Sequence, residues 1–377
     1  MRTLLVGYRA ADLTPELLEG DVTCHVLDIY HRHAIEKVHH AKAICSPHLP
    51  EGPWDVIKFK TGPKIHSGEL ALDLLQECHA LACGDRNVAA PTDVAAPTDV
   101  AAPTDVAAPT DVAPSSGRRH SCRLEVEFVG RERDRNDLLN KIKNDPKRVR
   151  SFKAEWPASV PGGEKLMFTS YPGCFCHRRL DEGGLALAEV VSRELLELRR
   201  QECRLPALQA ACREASQLGE ATFLSPQTDE AGLSILDMGC GCGLVGLLIA
   251  NRLRHSNIQT FEHSNIVLVD SHARAVEAAT ENAAKFGIPA EVILSDNGTP
   301  KRLDGTFDVF VGNPPYYSDY RIAEVFLETA QRALKPGGVC YTVVKNAAGL
   351  KPVQEKYFKS VAVIGRRNYS VLKSIRG

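Results

Sequence analysis

The stretch from Ser234 to Leu253 limits the architecture more than any other. Ser234-Ile235-Leu236-Asp237-Met238 is a short apolar strand. Gly239-Cys240-Gly241-Cys242-Gly243 follows as a glycine-rich turn, and Leu244 to Leu253 is an apolar helix. An apolar strand leading through a tight turn into an apolar helix is the building unit of an α/β sheet covered on its faces. The alternating glycines let the backbone pass close to a ligand, and the helix start presents unpaired amides beside it.

The pattern continues downstream. Strands are expected at Ile266 to Asp270, Ala290 to Leu294, Phe307 to Val311 and Val339 to Val344. Helices are expected from His272 to Phe286 and from Asp319 to Leu334. Phe358 to Ile364 and Tyr369 to Ile375 form two more strand-like runs joined by a short polar connection, which implies an antiparallel pair. The spacing predicts a doubly wound sheet ending in an antiparallel edge pair. Upstream, Leu4 to Val6, Cys24 to Asp28, Trp54 to Phe59 and Cys122 to Val129 read as strands. Glu69 to Ala82 and Arg135 to Asn144 read as helices. This predicts an α/β domain over residues 1–155 and a second over 156–377. The first is interrupted at 88–117, where Val-Ala-Ala-Pro-Thr-Asp occurs four times from Val88 to Asp111. A proline every six residues and few large apolar groups predict a disordered insertion.

Composition excludes several classes. The chain has 377 residues, 44% hydrophobic and 25% charged, the balance of a globular protein. No apolar run approaches the roughly 20 residues that span a bilayer, and the first residues do not read as a signal peptide. Twelve cysteines without an export signal predict thiols in a reducing cytosol. Cys174-x-Cys176-His177 and Cys240-x-Cys242 lack the usual zinc-ligand spacing, so no metal is expected. Clustered thiols near a ligand site would be open to oxidation. With 46 basic residues against 47 acids, a nucleic-acid surface has to be local. Arg118 to Lys153 holds 12 Lys or Arg against 6 acids, and His177-Arg178-Arg179 is a second basic group. The interleaved acids also fit a solvated helix over Arg131 to Lys143.

The spacing Gly239, Gly241, Gly243 differs from the dinucleotide fingerprint, and Asp237 precedes the first glycine by two residues. An anionic side chain at a glycine turn suits a cationic ligand better than a pyrophosphate. The amino group and sulfonium of S-adenosylmethionine meet that requirement. Asp270, ending the next strand, is placed to hold ribose hydroxyls, although an acid there also caps the following helix. Asp296 is a candidate acceptor for the adenine amine. Directly after strand Phe307 to Val311 stands Asn313-Pro314-Pro315-Tyr316. The Asn313 carboxamide oxygen and the Pro314 carbonyl can accept both hydrogens of a planar NH2 group, aiming its lone pair at a methyl group. Tyr316 can stack on the flat substrate.

With these motifs, residues 234–345 resemble the class I S-adenosylmethionine-dependent methyltransferases. Tyr171-Pro172-Gly173-Cys174-Phe175-Cys176-His177, continued by Leu180-Asp181-Glu182-Gly183-Gly184, is similar to the stretch that precedes the cofactor fold in ribosomal RNA guanine-N2 methyltransferases. The resemblance implies that Phe175 and Asp181 help close the cofactor site. It also implies two Rossmann-like methyltransferase domains in tandem: a degenerate N-terminal copy, and a catalytic C-terminal copy with a mostly parallel seven-stranded sheet. The first half fits, because Leu4-Leu5-Val6-Gly7-Tyr8 is followed by no glycine triplet and no Asn-Pro-Pro precedes Asn313.

What the resemblance implies for function is methylation of a guanine N2 in ribosomal RNA, most simply 16S RNA within the small subunit or an assembly intermediate. Those enzymes usually carry Phe after Asn-Pro-Pro. Tyr316 is commoner in adenine-N6 and protein-glutamine methyltransferases, which remain alternatives, as does a non-catalytic RNA-binding or ribosome-assembly protein.

Overall fold

The computed structural model describes residues 1–63, 65–83, 122–143, 152–215, 232–256, 264–315 and 320–377. The hexamer repeat and Tyr316 lie outside the described residues. The chain groups into two units. The first is Met1–Ala154 with Ser170–His177 and Ser271–Glu277; the second is Glu155–Thr169, Arg178–Asp270 and Ala278–Gly377.

In the first unit β1 (Arg2–Val6), β2 (Asp21–Val26), β3 (Lys42–Cys45), β4 (Val56–Thr61) and β5 (Arg123–Phe128) form one sheet in the order β3-β2-β1-β4-β5. All four pairings are parallel. Helices α1 (Ile29–His39), α2 (Gly68–Cys83) and α3 (Glu132–Lys143) connect or follow them. Successive residues of β1 face opposite sides of the sheet. Leu4 and Val6 pack with Ile57, Phe59, Leu70 and Leu74, whereas Leu5 joins Cys24, Val26 and Ile35. The apolar run Leu4-Leu5-Val6 is thereby explained as a central strand covered on both faces.

Sequence patterning passed over α1 and β3. Only Ile29 and Ile35 of α1 are buried, so its apolar stripe is thin, and β3 has just four residues. The N-terminus of α1 is set by Asp28, whose side chain accepts the Tyr30 amide proton at 2.9 Å. A buried charge network also belongs to this unit. The Arg274 guanidinium, almost fully buried, pairs with Asp73 and with Glu77 (2.8 Å), and it donates to the Pro47 carbonyl (2.9 Å). Nothing in the periodicity marks Arg274 as an interior residue.

The second unit holds a seven-stranded sheet ordered β10-β9-β8-β11-β12-β14-β13. Its strands are β8 (Ser234–Met238), β9 (Asn265–Asp270), β10 (Glu291–Leu294), β11 (Phe307–Gly312), β12 (Leu334–Val344), β13 (Ala362–Arg366) and β14 (Tyr369–Ile375). Pairings are parallel as far as β12. β14 then runs antiparallel to both β12 and β13, which is the expected edge pair. The helices are α4 (Glu182–Ala215), α5 (Leu244–Arg254), α6 (Ala273–Lys285), α7 (Arg321–Ala333) and α8 (Ala347–Gln354); β6 (Ala154–Ala158) and β7 (Leu166–Ser170) form a separate two-stranded sheet.

Two boundaries differ from expectation. Phe358 does not start a strand: its amide donates to the Gln354 carbonyl (3.0 Å), prolonging the turn after α8, and its ring enters the core. The 34-residue α4 was not anticipated, because Leu185 to Val191 is buried nearly all round and shows no polar face. No helix among the described residues is long and apolar enough to cross a membrane.

Candidate functional site

The site of the second unit grows from the end of β8. Gly239 and Gly241 adopt φ of +69° and +56°, values that side chains resist. The Gly239 and Cys240 amides both donate to the Val269 carbonyl (2.8 and 3.0 Å), which ties the turn to β9. A Cβ at Gly239 would stand 2.6 Å from Cζ of Phe326, whereas a Cβ at Gly241 would meet nothing within 4 Å. The first glycine therefore admits a packed aromatic ring from α7, and the second borders open space. Gly243 is the cap residue of α5.

Two acids serve this turn. Asp270 sits at the end of β9, and its Oδ2 accepts the Gly241 amide proton at 2.9 Å. The acid expected to hold ribose is thus placed at the glycine that borders open space. Asp237 behaves differently from the sequence expectation of an acid facing a ligand. It is 1% exposed and accepts the Gly246 amide at 2.8 Å, so it builds the strand-to-helix junction. Burial pushes its carboxyl up to about 7, and the neighbouring Asp270 and Asp181 carboxylates act in the same direction. Three acids around one turn make this corner electronegative.

The second cluster lies beyond β11. Asn313 donates its Nδ2 to Oδ2 of Asp181 at 2.8 Å. Asp181 Oδ1 accepts the Gly183 amide (3.0 Å), and its main-chain carbonyl accepts the Leu185 amide (2.9 Å), opening α4. Burial raises the Asp181 carboxyl above its ordinary range, opposed by hydrogen bonds from the Gly184 amide, Asn313 and the Gly183 amide. A carboxylate only accepts, so it holds the NH2 end of the Asn313 amide and leaves Oδ1 as the acceptor on the other branch. Asp181, which the resemblance places at the cofactor site, grips Asn313. Pro314 is buried beside it.

Asp296 is partly exposed just after β10. Phe175 belongs to the first unit and is 66% exposed; Tyr316 is outside the described residues. Sequence reasoning missed Phe326, Gly246 and Asn282. Phe326 packs under both Gly239 and Gly312. Asn282, fully buried, donates to the Cys242 carbonyl (2.9 Å) and exchanges two hydrogen bonds with the Thr169 backbone. A lone Asn inside an alanine-rich helix was the available signal.

Among the described residues the first unit lacks such a turn. After β1 only Gly7 has positive φ, and the space beyond is filled: the buried Tyr8 hydroxyl donates to Glu127 (3.0 Å), with Lys60 bridging Asp12 and Glu127 at 3.2 and 2.9 Å.

Residues 213–373 match the family described as Methyltransferase small domain. The chain also matches proteins named Ribosomal RNA small subunit methyltransferase C. The protein of Pseudomonas aeruginosa (strain UCBPP-PA14) is 28% identical over 220 residues, 56% of this chain and 52% of that protein. That of Stutzerimonas stutzeri (strain A1501) is 27% identical over 167 residues, 42% and 47% respectively. The chain spans about half the length of the curated relatives it matches. Among solved structures, a T. Thermophilus 16S rRNA N2 G1207 methyltransferase (RsmC), in complex with AdoMet and guanosine, aligns with a TM-score of 0.63 at 16% identity. The alignment covers 100% of this chain and 88% of that one. The likeness extends the shared fold beyond the small domain to both α/β units.

Proposed function

We propose that this protein transfers a methyl group from S-adenosylmethionine to the exocyclic N2 amine of a guanine in small-subunit ribosomal RNA. The observation that carries the reading is the Asp181–Asn313 hydrogen bond beside an electronegative glycine turn. The residues fit the cofactor. Gly241 leaves open space where a Cβ would intrude, and Asp270 holds a carboxylate at that place for the ribose hydroxyls. Gly239 and Gly243 shape the turn, the buried Asp237 fixes it to the start of α5 through the Gly246 amide, and Asp296 would accept from the adenine amine.

When bound, S-adenosylmethionine supplies a methyl group on a sulfonium, a good leaving group. The chain contributes orientation. Asn313 Oδ1 and the Pro314 carbonyl accept the two N2 hydrogens and direct the nitrogen lone pair along the line of attack. Such positioning needs no strong base beforehand; the proton lost afterwards passes to water. Tyr316 would stack on the base. The names of the relatives and the guanosine in the aligned structure's title support guanine as the base and ribosomal RNA as the partner.

The test is transfer of tritiated methyl from S-adenosylmethionine to purified 30S and 50S particles and their free RNAs, followed by nucleoside analysis. Label in N2-methylguanosine is expected. Label in N6-methyladenosine overturns the choice of base, and label only in protein overturns the choice of partner.

A further inference from the structure

The second unit contains a pocket of about 230 Å3 apart from the glycine turn, with an apolar wall from Val160, Pro161 and Leu196 and a polar one from Glu189, Ser192, Arg193, Glu197, Arg252 and Arg366. Its charges are unbalanced. Glu189, 6% exposed, is already committed: it binds Arg366 at 2.5 Å and Arg367 at 2.7 Å. Burial opposes ionisation of this carboxyl, but the Arg367 and Arg366 guanidiniums pull it below its ordinary range. Arg193 and Arg252 make no hydrogen bond or ion pair among the described residues. Three guanidiniums therefore border the pocket against two carboxylates, and one of those carboxylates, Glu189, is already shared with Arg367 from outside it.

Two details suggest a prepared site and not a chance group of surface arginines. The Ser192 hydroxyl is 3% exposed and has no hydrogen-bond partner among the described residues. Leaving a buried hydroxyl unpaired costs about 1–3 kcal/mol, which an incoming acceptor recovers. The Arg252 head lies against the backbone at Gly162, in the β6–β7 connection. A Cβ there would fall 2.8 Å from Nη2, 2.9 Å from Cζ and 3.0 Å from Nε, so the guanidinium lies directly against a glycine whose φ of +77° other residues resist.

We propose that this pocket binds a phosphate group, with the Arg193 and Arg252 guanidiniums and the Ser192 hydroxyl as donors and Arg366 held alongside by Glu189. Guanidinium forks match phosphate oxygens, and the volume admits a phosphate with its attached sugar or a few waters but little more. The phosphate can belong to an RNA backbone or be free in solution. The RNA source rests on the function proposed above, whereas the site itself does not.

The experiment uses the full chain and two readouts. Thermal unfolding is followed in potassium phosphate and in potassium chloride at matched ionic strength. Binding of a small-subunit ribosomal RNA fragment is then titrated over a range of potassium chloride. At ten times the dissociation constant, phosphate should raise Tm by about 2–4 °C beyond chloride. An Arg193→Gln/Arg252→Gln variant should lose that shift, and its log affinity should fall with log salt by about 1 less than wild type. Ser192→Ala keeps every charge and should weaken the phosphate shift alone. Exposed Arg193→Gln by itself guards against misfolding of the double variant.

A lost phosphate shift with an unchanged salt slope assigns the site to free phosphate. A lost shift with a reduced slope assigns it to RNA. Wild-type RNA binding that fails altogether removes the RNA reading but leaves the phosphate arm decisive. A phosphate shift no larger than that of chloride, or one retained in the double variant, overturns the site.

Discussion

Replacing Asp181 by Ala tests the proposed division of labour most directly. The substitution removes the acceptor that holds Asn313 Nδ2 at 2.8 Å. A hydrogen bond to a charged group is worth about 1.5–3 kcal/mol, and each 1.4 kcal/mol is tenfold in rate. If that energy keeps Oδ1 turned to the substrate amine, the turnover rate should fall about 10- to 150-fold. The variant also loses the side-chain acceptor for Gly183 at the start of α4, at a cost in stability of about 1 kcal/mol. Asp181→Asn retains an acceptor oxygen but must share it between Asn313 and Gly183, so its rate should be intermediate. Single-turnover methyl transfer at saturating cofactor and RNA reads the chemical step, calorimetry reads cofactor affinity, and circular dichroism checks the fold. A folded Asp181→Ala variant with kcat within twofold of wild type refutes the positioning argument. If the defect lay in cofactor affinity and vanished at saturation, Asp181 would instead be a cofactor residue, as the resemblance implied.

Three further outcomes follow from the geometry. Asp270→Ala removes a charged partner at Gly241 and should weaken cofactor binding about 10- to 150-fold by calorimetry, with little change in rate at saturation. Gly239→Ala places a methyl group 2.6 Å from the Phe326 ring at φ +69°, and should lower stability by about 1–3 kcal/mol in urea titration; Phe326→Leu should restore part of it. The pH responses of the two units should differ in sign. In the second, the Asp237 carboxyl is raised by burial to about 7, so the folded state favours its proton and stability from this group falls as pH rises from about 4 through 7. In the first, burial holds His25, His66 and His272 down to about 4, so stability falls as pH drops from about 6.5 toward 4. Hydrogen exchange resolved by segment at pH 5 and 7.5 distinguishes the two, and Asp237→Asn should flatten the first trend.

The elements legible in the sequence were those whose burial is uniform or whose turns need special residues. Ile235-Leu236 and Val267-Leu268 are covered on both faces, and a parallel sheet writes such strands as unbroken apolar runs. The glycine turn and Asn313-Pro314 are equally visible, because few residue types satisfy those backbones. Helix α1 and strand β3 were not legible, since a thin apolar stripe or four residues carry little periodicity. The family resemblance brought Asp181 to attention, but its partner Asn313 lies 132 residues away. Which acid faces inward was equally hidden: Asp237 and Asp270 both lie at the C-terminal ends of neighbouring strands, yet only Asp237 is sealed against Gly246.

The chain's own sequence, then, determined the kind of sheet and the chemistry of its two loops, because burial periodicity and turn stereochemistry are local. Only the tertiary structure decided which acid grips Asn313, which ring fills the space under Gly239 and why Arg274 lies inside. Those are meetings of groups distant in the chain, set by how whole elements pack, and no local pattern encodes them.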